Sequence, residues 1–213
     1  MKKLSQLIVS LCLSAGLALA SSAFAQANEA PDQLIKRLSI EIIDSAKTDK
    51  EIRAGNRKRI DDMVEVKVLP HINFDRMTSL AVGKNWRAAT PEQQKQLVAE
   101  FRTLLVHTYS GAISQIKDQK VEFKPFRAAP EDTEVEVKSV VIQARGEPLQ
   151  LSYRLEKTAT GWKIFDINVL GAWLVETYKG SFAAEVNKTG VDGLIKTLVE
   201  KNQKLAALAA KKS

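Results

Sequence analysis

Apolar positions change their period twice along this chain. From residue 31 to about 116 they recur at helical spacing, from about 120 to 169 they alternate with polar residues, and from Leu170 onward the helical spacing returns. The first block predicts a helix from Pro31 to about Ser45, with Leu34, Ile35, Leu38, Ile42 and Ile43 on its apolar face. A second helix is expected from Asp49 through Val68, ended by Pro70, which has no N–H to offer a helical ladder. Asn73 or Asp75 starts a short helix reaching Val82. The strongest start signal is Thr90-Pro91-Glu92-Gln93, an N-cap, a proline at the first helical position and a glutamine placed to close a capping box. It opens a long helix through Leu97, Phe101, Leu104, Leu105, Tyr109 and Ile113.

The alternating block predicts four strands, near Lys120 to Phe126, Glu134 to Gln143, Pro148 to Lys157 and Trp162 to Val169. Ala144-Arg145-Gly146-Glu147 and Thr158-Ala159-Thr160-Gly161 supply hairpin turns with glycine where a positive φ is required. Leu149, Leu151, Tyr153 and Leu155 alternate with polar residues, so one face of the sheet is apolar and the other wet. A phase slip between Val137 and Val140 predicts a bulge that curves the sheet. Helix then resumes at Leu170, carries Trp173, Leu174, Tyr178, Phe182 and Val186 to Gly190, and restarts near Asp192 with Leu194, Ile195, Leu198 and Val199 inward. The expected fold class is α+β, a curved four-stranded antiparallel sheet covered by several helices.

The N-terminus changes the picture of where this domain works. Lys2 and Lys3 precede an apolar run from Leu7 to Ala20, which ends in Ala23-Phe24-Ala25. This is the layout of a secretory signal peptide, and the run is shorter than the roughly 20 residues a spanning helix needs. The chain divides into a signal peptide at 1–25, one domain at 26–203, and an alanine- and lysine-rich tail at 204–213 expected to fray. The lone cysteine, Cys12, lies within the signal and follows the bulky Leu11, which argues against a lipid-anchored start. Removing Lys2 and Lys3 lowers the net charge from +7 to +5. The densest basic cluster, Arg53 to Arg59, is one short helix face without interleaved aromatics, which is a poor match to a nucleic-acid reader.

Catalytic chemistry finds little support. Only two histidines exist, His71 beside a proline and His107 within the long helix, and neither lies in a hydrolase or zinc motif. The adjacent pairs Asp61-Asp62 and Glu131-Asp132 read as solvated charge. Asp166 stands out as a carboxylate in an apolar strand, Trp162-Lys163-Ile164-Phe165-Asp166, where burial demands hydrogen bonds; fixing a nearby loop or helix start is the reading favoured over ligand contact.

Several motifs together resemble one family. Pro70-His71-Ile72-Asn73-Phe74-Asp75-Arg76-Met77-Thr78, Gly83-Lys84-Asn85-Trp86-Arg87 running on to Gln93, Phe101-Arg102-Thr103-Leu104-Leu105 with Tyr109, Trp162 with Phe165 and Asp166, Gly171, and Gly190-Val191-Asp192-Gly193-Leu194-Ile195 are similar, in order, to the MlaC family of toluene-tolerance auxiliary proteins. The resemblance implies a fold related to the NTF2-like cone and a periplasmic carrier with bound phospholipid as cargo and no other cofactor or metal. It also implies two partners, an inner-membrane ABC transporter complex carrying an MCE-domain protein and an outer-membrane lipoprotein–porin complex, with a role in outer-membrane lipid asymmetry.

Acyl chains make no hydrogen bonds, so the site expected from that resemblance is a set of apolar side chains. The candidates are Phe101, Leu104, Leu105, Tyr109 and Ile113 from the long helix; Val140, Ile142, Leu151, Tyr153, Phe165, Ile167 and Val169 from the sheet; and Trp173 and Leu174 from the helix that follows. Competing readings are a transporter adaptor that carries no lipid, an envelope lipid hydrolase, and a polyanion binder.

Overall fold

The computed structural model describes residues 29–117, 119–143 and 146–210. The predicted signal peptide lies outside the described residues, as do Ala144 and Arg145 of the first hairpin turn.

Helix α1 (Pro31–Thr48) has a proline in its first turn, preset for helical φ. The predicted second helix is two helices, α2 (Lys50–Arg53) and α3 (Arg57–Lys67). Gly55 separates them at φ 82, and Asn56 recaps the chain by accepting the Arg59 N–H at 3.0 Å. Apolar spacing at Ile52 and Ile60 spans the break, which is why periodicity alone reads it as one element. The basic cluster here is tied to acids: Arg57 to Asp61 and Lys58 to Asp62 within α3, and Arg59 to Asp49 across the break.

A short 3₁₀ turn, Leu69–His71, leads to α4 (Phe74–Val82), whose N-cap Asn73 accepts the Arg76 N–H. Helix α5 (Pro91–Tyr109) opens with the full capping box: Thr90 Oγ1 accepts from the Gln93 N–H and Gln93 Oε1 accepts from the Thr90 N–H. Ile113 lies beyond its end, in a 3₁₀ turn over Ser110–Gln115.

The sheet has five strands in the order β1-β2-β3-β4-β5, all antiparallel: β1 (Lys120–Phe123), β2 (Glu134–Ile142), β3 (Leu149–Thr158), β4 (Gly161–Val169) and β5 (Ala172–Trp173). The fifth strand corrects the four-stranded expectation. Leu170 does not begin a helix; at φ 55 and with Gly171 at φ 87 it makes a tight turn that folds Ala172 and Trp173 back onto β4. Two residues are too few for an alternating pattern to register. The bulge also moves. β2 pairs with β3 without a break from Glu134 to Val141, whereas β4 carries one extra residue, Phe165, between the pairs Leu155–Ile164 and Arg154–Asp166.

Helix α6 (Leu174–Ala210) turns a corner at Gly190, whose φ of 75 and ψ of −177 no helix accommodates, where the sequence places the end of one helical pattern and the start of another. Helix persists through the segment expected to fray as far as Ala210, with Leu205 packed against the core.

Three apolar clusters result. The largest joins α4, α5 and α6, centred on Phe101, which meets Tyr178 and Phe182 edge-on at 4.9 and 5.1 Å between ring centroids. A second packs Leu34, Ile35 and Leu38 of α1 against Val137, Leu155 and Ile164 of the sheet. A third gathers the end of α1 with α2 and α3 around Ile52 and Ile60.

Candidate functional site

Between these clusters the interior is hollow. Two cavities, of about 310 and 220 Å³, lie side by side, and Ile42 of α1 and Ile113 of the 3₁₀ turn line both. The larger is walled by the inward face of the sheet, Val121, Val141, Leu149, Leu151 and Tyr153, with Ile43 and Ile116 opposite. The smaller is lined by Val64, Val68 and Leu69 near α3, Phe74 and Met77 of α4, Leu105 and Tyr109 of α5, Ile167 and Val169 of β4, and Leu174 of α6. Strand parity aims these side chains: partners across the ladder share a face, so Val121–Val141–Leu149 and Leu151–Val169 point inward together.

Eight of the fourteen residues picked from the sequence line these cavities: Leu105, Tyr109, Ile113, Leu151, Tyr153, Ile167, Val169 and Leu174. Six do not. Phe101 and Leu104 face the closed core of α4, α5 and α6, almost fully buried, because the long helix offers one stripe to the cavity and another to α6. Val140 and Ile142 lie on the opposite face of β2, since the expected bulge that would have turned them inward is absent. Phe165 is the bulge residue and sits beneath Arg76, whose guanidinium lies 3.8 Å from the ring centroid while binding Glu134 and Glu156. Trp173 is on β5, stacked 3.8 Å from the Arg154 guanidinium.

Residues absent from the sequence list complete the walls. Ile42 and Ile43 belong to an amphipathic stripe that reads as ordinary core. Val64, Val68, Phe74 and Met77 come from elements whose placement beside the cavity depends on the break at Gly55 and the docking of Asn73, which donates to Ile164 O at 2.8 Å through its backbone and to Glu156 through its side chain. No local signal marks them.

Ser39, Gln115, Gln119 and Gln143 also line the larger cavity and Ser110 the smaller, while the buried carboxylate nearby is structural. Asp166, 1% exposed, accepts the N–H of Val175 at 3.0 Å and of Ile167 at 2.9 Å, with Arg154 at 3.4 Å. It therefore caps the first turn of α6 from the neighbouring strand, the helix-start role expected of it, and fixes where Leu174 meets the cavity. Burial pushes its carboxyl above the usual carboxylate range, against the pull of these hydrogen bonds and of Arg154. At the rim, Tyr109 is 40% exposed, and Tyr178 beneath it has its hydroxyl pushed up to about 12, chiefly by burial. His71 is buried, which lowers its basicity, and His107 keeps an unpartnered Nδ1. Among the described residues no cluster of three or more histidine, cysteine or acidic side chains could hold a metal, and no helix is long and apolar enough to cross a membrane.

Among the described residues an apolar hollow in two parts is set into an α+β domain, which defines a class of domain built around an interior apolar pocket. The chain belongs to the MlaC protein family, whose pattern it matches over residues 36–200. It is similar to the intermembrane phospholipid transport system binding protein MlaC of Haemophilus influenzae, 24% identical over 131 residues, which are 60% of this chain and 61% of that protein. It is also similar to the toluene tolerance protein ttg2D of Pseudomonas putida, 25% identical over 167 residues, 78% of this chain and 77% of that one. A phospholipid-binding protein from Ralstonia solanacearum, solved in complex with a phospholipid, superposes with a TM-score of 0.79 at 42% identity, covering 84% of this chain and 99% of that one.

Proposed function

We propose that this chain is a periplasmic phospholipid carrier, which holds the acyl chains of its cargo in the two adjoining cavities and passes lipid between an outer-membrane complex and an inner-membrane MCE-type transporter. The observation that carries this reading is the pair of cavities walled mostly by apolar side chains, with Ile42 and Ile113 lining both. A packed core leaves few voids larger than a water molecule, so apolar space of this size is more than core packing calls for and suits the chains of a ligand. The phospholipid bound by the Ralstonia protein and the transport role in the name of the Haemophilus protein support the same reading.

The energetics suit a carrier. Two acyl chains carry about 30 methylenes, and at ~0.8 kcal/mol each their exposure to water would cost on the order of 24 kcal/mol. That exceeds the ceiling of about 21 kcal/mol for non-covalent affinity, so water is not the competing phase. The comparison that governs loading is cavity against bilayer, two apolar environments between which the difference is small and transfer in either direction is possible.

Native mass spectrometry of the purified mature protein, with lipid extraction from the same sample, tests the proposal. A bound mass matching a two-chain phospholipid is expected. A clean apo mass that persists after incubation with phospholipid vesicles would overturn it in favour of an adaptor that carries no lipid.

A further inference from the structure

The larger cavity has a wet end and a closed end. Gln115 and Gln143, both exposed, line it at one extreme. At the other, the lining stops at the same level on three elements. On β3, Leu149, Leu151 and Tyr153 face the cavity, and the next inward residue, Leu155, is 0% exposed in closed core. On α1, Ile43, Ile42 and Ser39 line it, whereas Leu38 and Ile35 are core. On β2, Val141 lines it, while Ser139 and Val137 are buried behind the lining.

Tyr153 closes the space. It belongs to both environments, lining the cavity and packing against the cluster that holds Leu38, Val137 and Ile164. Its backbone is pinned between the β2 and β4 ladders, and its hydroxyl comes within hydrogen-bond reach of Ser39 on α1 and Ser139 on β2. The phenol therefore bridges from sheet to helix, and a ring met at both ends has little freedom to turn aside for an advancing chain.

The depth above this ring matches an acyl chain. Val137 stands opposite Tyr153, and at roughly 3.3 Å per residue the strand from Val137 up to Gln143 at the rim spans about 20 Å. An extended hydrocarbon chain advances about 1.25 Å per carbon, from bonds of about 1.5 Å at the tetrahedral angle, so about sixteen carbons fill that depth.

Resting on the carrier reading above, we infer that Tyr153 is the end stop of the larger cavity and sets the longest acyl chain that fits it, at about sixteen carbons. A longer chain holds its surplus carbons out at the glutamine rim, in water. Each then lowers loading about fourfold relative to a bilayer that covers them all.

The test loads the lipid-stripped mature protein from vesicles of phosphatidylethanolamine and phosphatidylglycerol. Every lipid carries one 14-carbon chain and a second chain of 14 to 22 carbons, in equimolar steps of two, and native mass spectrometry reads the bound species. The smaller cavity, about 220 Å³ against 310 Å³, takes the short chain and leaves the variable one to the larger. In wild type, loading is expected to be level up to about 16 carbons and then to fall about fourfold per added carbon. Tyr153→Ala removes a ring about 3.5–4 Å thick, the depth of about three carbons, so the fall should move to longer chains by one or two steps. Ser39→Leu fills the same floor from α1 and should move the fall to shorter chains by at least one step; it decides the matter if circular dichroism shows Tyr153→Ala unfolded. A level profile to 22 carbons in wild type, or a fall that stays at the same length in either folded variant, would overturn the inference and leave the carrier reading standing. Failure of every phospholipid to bind the wild type would overturn both.

Discussion

Replacing Asp166 separates what its shape contributes from what its charge contributes. The side chain is 1% exposed, and its Oδ1 accepts two backbone N–H groups, one of them the Val175 donor in the first turn of α6, which has no partner within the helix. Asp166→Ala deletes both bonds and leaves Val175 buried and unsatisfied. A lost cap costs about 1 kcal/mol and an unsatisfied buried donor about 1–3 kcal/mol, so a loss of about 2–3 kcal/mol is expected, or about 4–12 °C in melting temperature for a domain of this size. Asp166→Asn keeps an acceptor oxygen in place and should cost about 1 kcal/mol or less near neutral pH. The sign of the pH effect follows from the raised pKa. The contribution of Asp166 to stability is fully present below its unfolded pKa near 3.8 and declines as pH rises through the higher folded value, because ionisation is harder in the fold. Wild type should therefore lose stability relative to Asp166→Asn across that window and hold a constant difference above it. Urea unfolding of the three proteins at a series of pH values measures both effects. An alanine variant within about 0.5 kcal/mol of wild type, or an asparagine variant as damaged as the alanine one, would refute the capping role.

Leu151→Trp, on the wall of the larger cavity, should reduce bound lipid several-fold in native mass spectra while the far-ultraviolet circular dichroism stays native; full occupancy would mean that the cavity is not the lipid site. Leu104→Trp, by contrast, should destabilise the fold by about 1–3 kcal/mol, because Leu104 is 1% exposed in closed core and the extra atoms have nowhere to go. Ser139→Ala removes a buried hydroxyl that has no regular partner and should leave the melting temperature of the lipid-free protein unchanged or raised by about 2–4 °C, so a clear drop would show that the hydroxyl is satisfied after all. Gly193→Ala would set a Cβ 1.9 Å from Thr189 Oγ1 and 2.2 Å from Thr189 Cβ, a clash that only backbone movement relieves; a loss of about 1–3 kcal/mol in chemical denaturation is expected, and a neutral result would show that the corner at Gly190 can shift freely.

Local signals were enough for much of this protein. The period of apolar residues found α1, α4 and the four long strands, Thr90 to Gln93 announced α5 through side chains that cap within one turn, and Gly190 marked the corner in α6 because only glycine tolerates that backbone. The isolation of Asp166 in an apolar strand pointed to a partner, and the partner is the start of the next helix. Each of these rests on interactions a few residues long, which sequence spacing encodes directly.

Tertiary structure decided what spacing leaves degenerate. A buried leucine contributes the same apolar period whether it meets another side chain or a hollow, so Leu104 and Leu105, adjacent on one helix, could not be told apart until α6 closed over the first and left the second facing the cavity. Bulge position is likewise a property of paired strands: moving it from β2 to Phe165 on β4 left Val140 and Ile142 on the far face and set Ile164 opposite Leu155, while Phe165 packs under Arg76. The existence of apolar surplus was written along the chain, but its division between core and cavity is set by which surfaces meet, and that depends on contacts between residues far apart in sequence.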